Sequence, residues 1–592
     1  MAADQSPMNK LITEHIDIWT SAVKTKSISG RGSSKKLELY GIKKLRELII
    51  ELAIQGKLTA SLDFKGSAKK SVEDAIVAKF NLSKERNIRG DKETYSSDRA
   101  KGFPLHWETI CVGQVAHVLG GKRVPKGYKL SEQPTDFVYL RVTDMKNQSI
   151  DESDLRYISE EVFKQISRYT INTGDVYVTI AGTIGAVGTI PPHLDGMSLT
   201  ENAAKLVFSG LSKKYLVTVL QSSFVTRQFN DAVNQMAQPK LSLNSIKHTC
   251  IPIPPLEEQE YIADKVDELM ALCDQLEQQT EASIEAHQVL VTTLLDTLTH
   301  SADADELMQN WARISEHFDT LFTTEESIDQ LKQTILQLAV MGKLVPQDPN
   351  DEPASELLKR IAGEKAQLVK EKKIKKQKAL PPIAEDEKPF ELPNGWVWER
   401  IDNLSNLIEY GSSQKTVDPF PGGVPVLKMG DIQNGQLILG DHKMMSADVE
   451  ELPSLYLKNN DILYNRTNSA ELVGKTGIFK GEDDKYSFAS YLIRIRCNSR
   501  NVLPDYINLS MNTPLFRATQ VEPHIKKQCG QANVNGTLMK SMLVSIPPLN
   551  EQKQIISKVN QLISACNSLR RTIEKSKLKQ LNIANSIVKR LV

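Results

Sequence analysis

Hydrophobic positions recur along this chain in two rhythms. After Pro255, apolar or small residues fall at Ile262, Val266, Leu269, Cys273 and Leu276; after Pro548 the same 4-3-4-3 spacing returns at Ile555, Val559, Leu562, Cys566 and Leu569. That is the spacing of a coiled-coil seam. Each stretch continues for about 40 residues, so at ~1.5 Å per residue it predicts a helix on the order of 60 Å long. A lone helix of this kind leaves its apolar stripe in water and needs a partner. Elsewhere the rhythm shortens. Val138-Tyr139-Leu140-Arg141-Val142 and Asp461-Ile462-Leu463-Tyr464 exemplify short apolar runs broken by Gly, Asn and Pro, which are strand and turn signals. The rhythms predict a helical framework region over 1–101, a mixed α/β module over 102–254 and a central helical spacer region over 255–345. A charged linker (346–390), a second α/β module (391–547) and a C-terminal spacer helix (548–592) follow.

The order of these pieces repeats. Ile12-Thr13-Glu14-His15-Ile16-Asp17 returns as Ile314-Ser315-Glu316-His317-Phe318-Asp319, and Leu52-Ala53-Ile54-Gln55-Gly56-Lys57-Leu58 as Leu338-Ala339-Val340-Met341-Gly342-Lys343-Leu344. Pro104-Leu105-His106-Trp107 matches Pro393-Asn394-Gly395-Trp396, and Leu140-Arg141-Val142-Thr143-Asp144 matches Leu427-Lys428-Met429-Gly430-Asp431. Ile253-Pro254-Pro255-Leu256-Glu257-Glu258-Gln259 returns as Ile546-Pro547-Pro548-Leu549-Asn550-Glu551-Gln552. The numbering offset stays between 286 and 293 from Ile42 onward, so the chain is an internal tandem repeat. Helical segments match closely while the modules match only in scattered positions. A shared scaffold carrying two diverged modules implies two related tasks on different targets. The fold class is therefore mixed α/β, with two α/β modules separated by a pair of long antiparallel helices.

Charge sharpens this picture. Residues 256–298 hold eleven acidic side chains against one lysine, a net of −10; residues 553–592 hold nine basic against one acidic, a net of +8. Like-with-like pairing would be repulsive, so the first long helix is expected to pack on the second. The whole chain, 592 residues with 74 basic and 73 acidic side chains, nets only +1, which excludes a globally basic nucleic-acid binder but hides local faces. Its length and composition fit several ordinary globular domains. No run of 18 apolar residues and no charged-then-apolar leader occurs, so neither a membrane span nor a signal peptide is expected. The six cysteines (111, 250, 273, 497, 529, 566) form no CxxC pair and read as thiols of a reducing cytoplasm, with no metal site.

The Ile-Pro-Pro-Leu-x-Glu-Gln and Leu-Ala-x-x-Gly-Lys-Leu segments, Leu392-Pro393-Asn394-Gly395-Trp396-Val397-Trp398, and Asn350-Asp351-Glu352-Pro353-Ala354-Ser355-Glu356-Leu357-Leu358 carry a family resemblance. Together they resemble the specificity (S) subunit of type I restriction–modification enzymes, over nearly the whole chain. The first module departs by having His106 where the family commonly has glycine. The resemblance implies a cytoplasmic DNA-binding subunit without a catalytic centre, whose two modules are target-recognition domains. Each would read one half of a split, asymmetric site in double-stranded DNA, with the long helices setting the gap. It further implies two methylase (M) subunits that modify adenine, then restriction/translocase (R) subunits. No cofactor is expected on this chain; S-adenosylmethionine, ATP and Mg belong to the partners.

Neither module is strongly basic: 101–252 has 16 basic and 13 acidic side chains, 390–548 has 16 and 17. The excess sits late, six to two in 201–252 and eight to two in 485–547, which makes the later third the expected phosphate-facing side. Donor-rich loops supply the candidate DNA contacts. In the first module these are Lys122, Arg123, Arg141, Thr179, Thr183, Gln238 and Lys240. In the second they are Ser413, Gln414, Lys415, Lys428, Arg466, Thr467, Asn468, Lys526, Lys527, Gln528, Gln531 and Asn533. Arg, Lys, Asn and Gln offer the directed hydrogen bonds that base edges need, while Lys and Thr more often hold phosphate. The lysine run from Lys365 to Lys378 reads as an exposed helix leading into a linker, with DNA or partner contact as the alternative.

Enzyme readings fall away. Ser469-Ala470-Glu471-Leu472-Val473-Gly474-Lys475-Thr476 mimics the end of a phosphate-binding loop but has Ser469 where the first glycine is needed. No Asn-Pro-Pro-Tyr or Asp-Pro-Pro-Tyr motif of adenine methylation occurs. Glu385-Asp386-Glu387-Lys388 carries an acid-x-Lys pattern in a charged stretch and reads as solvated. His15 and His317 occupy matching helical positions and read as packing residues. A stand-alone DNA-modifying or DNA-cleaving enzyme, and a protein-binding scaffold, remain as alternatives.

Overall fold

The computed structural model describes residues 12–27, 35–89, 95, 102–234, 239–302, 304–374, 379–528 and 531–591. Contacts divide the chain into two units, one of residues 1–283 with 576–592 and the other of residues 284–575.

In unit 1, helix α1 (Tyr40–Ile54) buries Ile42, Leu45, Ile49 and Leu52, one face of a 3.6-residue period. It ends at Gly56, whose φ of +67° lies in the left-handed region, and a Cβ there would sit 2.5 Å from Pro104 Cγ. Both the turn and the close approach demand glycine. Helix α2 (Ala68–Glu85) follows, burying Ala68, Val72 and Ala75. The module's principal strands are β1 (Glu108–Cys111), β2 (Ala116–Gly120), β3 (Tyr139–Leu140), β4 (Thr170–Ile171), β5 (Val176–Thr179), β6 (Val187–Gly188), β7 (Met197–Leu199), β8 (Ala203–Phe208) and β9 (Cys250–Ile253). Four form an antiparallel sheet in the order β6-β5-β8-β2, three a small sheet β3-β7-β4, and β1 pairs with β9 to join the module's two ends. Helix α3 (Leu256–His300) leaves β9 and continues into unit 2.

Unit 2 repeats the plan. Helix α4 (Glu325–Val340) is capped by the Thr324 hydroxyl, which accepts from the Ser327 amide at 3.0 Å, and ends at Gly342, φ +72°, against Pro393. Helix α5 (Ala354–Lys370) buries Ala354, Leu357 and Ile361. The strands are β10 (Val397–Arg400), β11 (Ser405–Tyr410), β12 (Gly423–Leu427), β13 (Ile462–Asn465), β14 (Thr467–Asn468), β15 (Thr476–Ile478), β16 (Ser487–Phe488), β17 (Leu492–Cys497), β18 (Lys526–Gln528), β19 (Gln531–Asn533) and β20 (Leu543–Ile546). The order β15-β13-β17-β11 reproduces the first module's main sheet, extended by two short strands over 432–437. β10 pairs with β20 as β1 pairs with β9. One apolar cluster takes in sheet residues Ile462, Ile478 and Ile493, Ile335 of α4, Leu357 of α5 and Val291 of α3, so module and framework share a core. Helix α6 (Leu549–Leu591) starts here, contributing Ile555, Val559 and Cys566 to that core, and ends in unit 1. The two long helices thus run in opposite senses.

Residues of both long helices meet in one apolar cluster, Val291, Leu295 and Leu298 of α3 with Ile555, Val559 and Cys566 of α6. Ile262, Val266, Leu269 and Cys273 are buried, with Leu276 half-buried, in unit 1; Ile555, Val559 and Cys566 are buried, with Leu562 and Leu569 half-buried, in unit 2. The two sets belong to different units. Antiparallel order places the start of each helix beside the framework of its own unit. The charges follow: Arg46 of α1 meets Asp274 and Glu277 of α3 at 2.6 and 2.5 Å, and Arg570 of α6 meets Glu325 and Asp329 of α4 at 2.8 and 2.9 Å. The 346–390 stretch is likewise more than a charged linker, because α5 packs into the core as α2 does. Lys365 of α5 donates to the Asp402 carbonyl at 2.7 Å, while Lys375, Lys376 and Lys378 lie outside the described residues. Glu387 is not merely solvated either: it pairs at 3.0 Å with buried Arg400.

The repeated motifs build one clasp per unit. In unit 1, Glu258, 1% exposed, accepts from the Trp107 indole at 3.0 Å and the Thr59 hydroxyl at 2.7 Å, with His106 Nε2 at 2.9 Å. In unit 2, Glu551 accepts from the Trp396 indole at 2.9 Å and Gln347 at 3.3 Å. The glutamines that follow, Gln259 and Gln552, each donate a side-chain amide to the carbonyl of the first proline of the pair, Pro254 at 2.9 Å and Pro547 at 3.0 Å. Burial, reinforced by Asp351, raises the Glu551 carboxyl above its ordinary value against the two donors. A raised folded-state value means that unit 2 loses stability as pH rises from the ordinary carboxylate range to the raised one. Glu551→Gln keeps one of the two acceptor oxygens and removes the buried charge. Denaturation at pH 5 and pH 8 is expected to show the wild type losing stability relative to this variant at the higher pH.

Candidate nucleic-acid interface

At the end of β2, Gly121 crosses the backbone of β7 so closely that a Cβ would lie 2.1 Å from the Thr200 carbonyl oxygen. At the end of β11, Gly411 makes the same crossing, 2.4 Å from the carbonyl oxygens of Phe488 and Ala489. Each crossing brings a donor-rich loop against the end of the next strand. The Lys122 amide donates to Leu199 at 2.9 Å, and the Ser412 amide to Phe488 at 2.9 Å. The Ile180 amide donates to Asn202, as the Arg466 amide donates to Tyr491; the Leu241 amide donates to Ile180, as the Val534 amide donates to Arg466. Three loops therefore converge at the same place in both modules: 121–123, 179–186 and 240–241 in the first, 411–415, 465–468 and 526–528 with 531–534 in the second.

In the second module convergence is tightest. β14, β19 and β18 form a three-stranded antiparallel ribbon that pairs Thr467 with Asn533 and Lys526 with Asn533 in register. Arg466 lies with its guanidinium 4.9 Å from the centre of the Tyr410 ring, a cation–π arrangement. Its amino groups reach the Ser490 carbonyl and Asn533 Oδ1 only at 3.4 Å, and its buried Nε has no hydrogen-bond partner among the described residues. Thr467 donates to Asn533 at 3.3 Å and Asn468 Oδ1 accepts from the Ser469 amide at 2.8 Å. Ser413, Gln414 and Lys415 are exposed on the adjoining loop. Half-buried Lys428 reaches Thr416 Oγ1 of that loop at 3.2 Å. Lys526, Lys527, Gln528 and Gln531 lie on the ribbon by their backbones; their side chains are outside the described residues.

The first module holds fewer free donors. Lys122 is exposed, with its ammonium 5.6 Å from the Tyr169 ring centre, and exposed Arg123 pairs with Glu201 at 2.7 Å. Thr183 and Lys240 are exposed, and Gln238 is outside the described residues. Two residues expected to read DNA are engaged within the fold. Thr179 is wholly buried and closes its loop, accepting from the Ala186 amide at 2.9 Å and donating to the Thr183 carbonyl. Arg141 is engaged by Asp144, at 2.6 and 3.1 Å, and by Asp154 at 3.2 Å, with Asp144 buried. Arg141→Ala is expected to destabilise unit 1 by roughly 2–3 kcal/mol, because it removes the cation paired with the buried Asp144 carboxylate and leaves only the residue-141 amide and the Thr143 hydroxyl as donors among the described residues. Urea denaturation of the full chain checks this.

Part of the late basic excess is also spent inside the fold. The Arg494 side chain is fully buried against Glu409, and Arg496 pairs with Asp461 at 2.6 Å. Lys205 is buried 3.7 Å from Asp175, the counterpart of Asp461. Those charges complete the sheets rather than face phosphate. Sequence reasoning missed Tyr410, 44% exposed, as the platform under Arg466; an aromatic ending a strand just before a glycine crossing was the available signal. The Ser469–Thr476 segment forms no phosphate loop, since the Thr476 hydroxyl is buried and hydrogen-bonded to Asn508 at 2.9 Å. Among the described residues no cluster of three or more His, Cys, Asp or Glu is placed to hold a metal, and no helix is long and apolar enough to cross a membrane.

Two α/β modules with matching loop crossings, each clasped to its own helical framework, define a duplicated recognition protein, and the comparisons agree. The model of the type I restriction modification DNA specificity domain matches residues 104–286 and again 393–580. The specificity subunit of the type I restriction enzyme EcoAI of Escherichia coli is 37% identical, over 98% of this chain and 99% of that one. That of EcoEI, also from Escherichia coli, is 36% identical over the same shares. The crystal structure of the HsdS subunit from Thermoanaerobacter tengcongensis aligns at 17% identity and a TM-score of 0.39, covering 82% of this chain and 97% of that one. This chain belongs to the specificity-subunit family of type I restriction–modification systems.

Proposed function

We propose that this chain reads a split, asymmetric site in double-stranded DNA, one half through each module, and itself catalyses nothing. In this reading it recruits two methylase subunits and the restriction/translocase subunits. S-adenosylmethionine, ATP and Mg are held by those partners. The observation that carries the reading is the placement of donor-rich, diverged loops at the same crossing in both copies of one scaffold. A sheet-edge ribbon rich in Lys, Gln and Asn fits a groove as a β-ribbon reader does. Two linked readers also make the second binding event intramolecular, which raises affinity without further contacts.

Selection from random-sequence duplexes by the chain bound to its methylase partner tests this. Recovery of two short motifs at a fixed gap is the expected result. Absence of enrichment would reject it, and enrichment of a single continuous motif would remove one module from reading.

A further inference from the structure

β1 and β9 join the ends of the first module to one another, and their register places Cys111 directly opposite Cys250. The Cys111 amide donates to Gln114 Oε1 at 2.7 Å, and the Cys250 amide to Gln228 Oε1 at 2.8 Å, while the Cys250 carbonyl accepts from Gln228 Nε2 at 3.0 Å. The facing residues thus exchange no backbone hydrogen bonds. Such a non-hydrogen-bonded pair brings Cα atoms to about 4.5 Å with the side chains closest, inside the range a disulfide spans. Neither cysteine forms a disulfide in the structure; Cys111 is buried and Cys250 partly exposed. The corresponding pair in the second module is Arg400 opposite Leu543, so the arrangement is peculiar to one copy.

We propose that Cys111 and Cys250 are a modification site, a thiol pair that a peroxide oxidises to a reversible disulfide latching the two ends of the first module. Cys250, the accessible sulfur, attacks the peroxide oxygen, giving its sulfenic acid and water. Cys111 then loses its proton, and its sulfur attacks the Cys250 sulfur. The S–S bond forms as hydroxide leaves and takes up that proton as a second water, so two thiols supply the two electrons that reduce one peroxide. Burial and the neighbouring Cys250 push the Cys111 thiol up to about 11, which keeps it protonated at neutral pH and makes the second step the slower one. The latch would close the module at the sheet through which both its ends pass. The second module has Arg400 and Leu543 at that register in place of thiols.

The full-length chain, treated with hydrogen peroxide and then with N-ethylmaleimide, is digested without reduction. A linked peptide pair containing Cys111 and Cys250, lighter by two hydrogens and separated by dithiothreitol, is expected. Amide exchange over 108–111 and 250–253 should slow by about tenfold or more, with 397–400 and 543–546 unchanged. Cys250→Ser should abolish the link, but mapping of the wild type decides the matter even if that variant folds poorly. Recovery of Cys250 oxidised alone, or of both thiols unreacted, overturns the site; a linked pair with unchanged exchange overturns the latch.

Discussion

Trp107→Ala is expected to lower the stability of unit 1 by about 3–5 kcal/mol, the cost of emptying a large buried aromatic site. The ring is 2% exposed and lies against the turn after α1, where a Cβ on Gly56 would approach its Cζ2 at 3.2 Å. Its indole is also a principal donor to Glu258, so the substitution opens a cavity and withdraws a hydrogen bond from a buried carboxylate together. The clasp is local to its unit, with Thr59, His106, Trp107 and Glu258 all in the first. Chemical denaturation of the full chain, followed by exchange protection in each unit, should show unit 1 opening at lower denaturant with unit 2 unchanged. Trp396→Ala should produce the mirror result. Equal loss in both units from either substitution would show that the clasps stabilise something the units share.

How far the sequence disclosed this molecule depended on whether the deciding interaction was local. The repeat was legible because the clasp needs the same residues in the same order in both copies: a glycine turn, a Pro-x-x-Trp segment and a Pro-Pro-Leu-x-Glu-Gln segment. The length and opposite sense of α3 and α6 also followed from the seam spacing and charge. What covers each stripe did not, because periodicity identifies a buried face without naming its neighbour. Arg46 and Arg570, on elements far away in sequence from α3 and α4, decide that. The pairing of Arg141 is hidden for a related reason. It sits three residues before buried Asp144, and Lys428 keeps the same spacing to Asp431, whose carboxylate takes the Lys428 amide at 2.7 Å. A feature retained by two modules that otherwise diverge signals shared structure rather than separate specificities. The ribbon was invisible for the opposite reason, since Thr467 and Asn533 pair across a gap in sequence that no local propensity spans.

Arg466→Ala is expected to weaken binding of the complex to its cognate DNA by about 10- to 100-fold, with the loss confined to one half of the site. An arginine that fits a guanine edge contributes roughly 1–3 kcal/mol of discrimination. Arg466 is placed for that role more than any other described cation of the second module. Arg494 and Arg496 are committed to buried carboxylates, and Arg517 caps the Val473 carbonyl at 3.0 Å. Arg466 by contrast has long contacts at 3.4 Å, an Nε without a partner among the described residues, and an exposed ring that holds the guanidinium plane. Exchanging those weak contacts for base acceptors costs little, and the Tyr410 platform restricts the side chain beforehand. Arg466→Lys keeps the charge but loses the two-pronged geometry, so it should discriminate nearly as poorly as alanine. Competition binding with duplexes altered in one half-site at a time, at several salt concentrations, separates the possible roles. Loss of discrimination in one half with an unchanged salt slope identifies a base contact. Uniform weakening with a shallower slope identifies a phosphate contact instead, and unchanged affinity in a folded variant places the DNA elsewhere on the module.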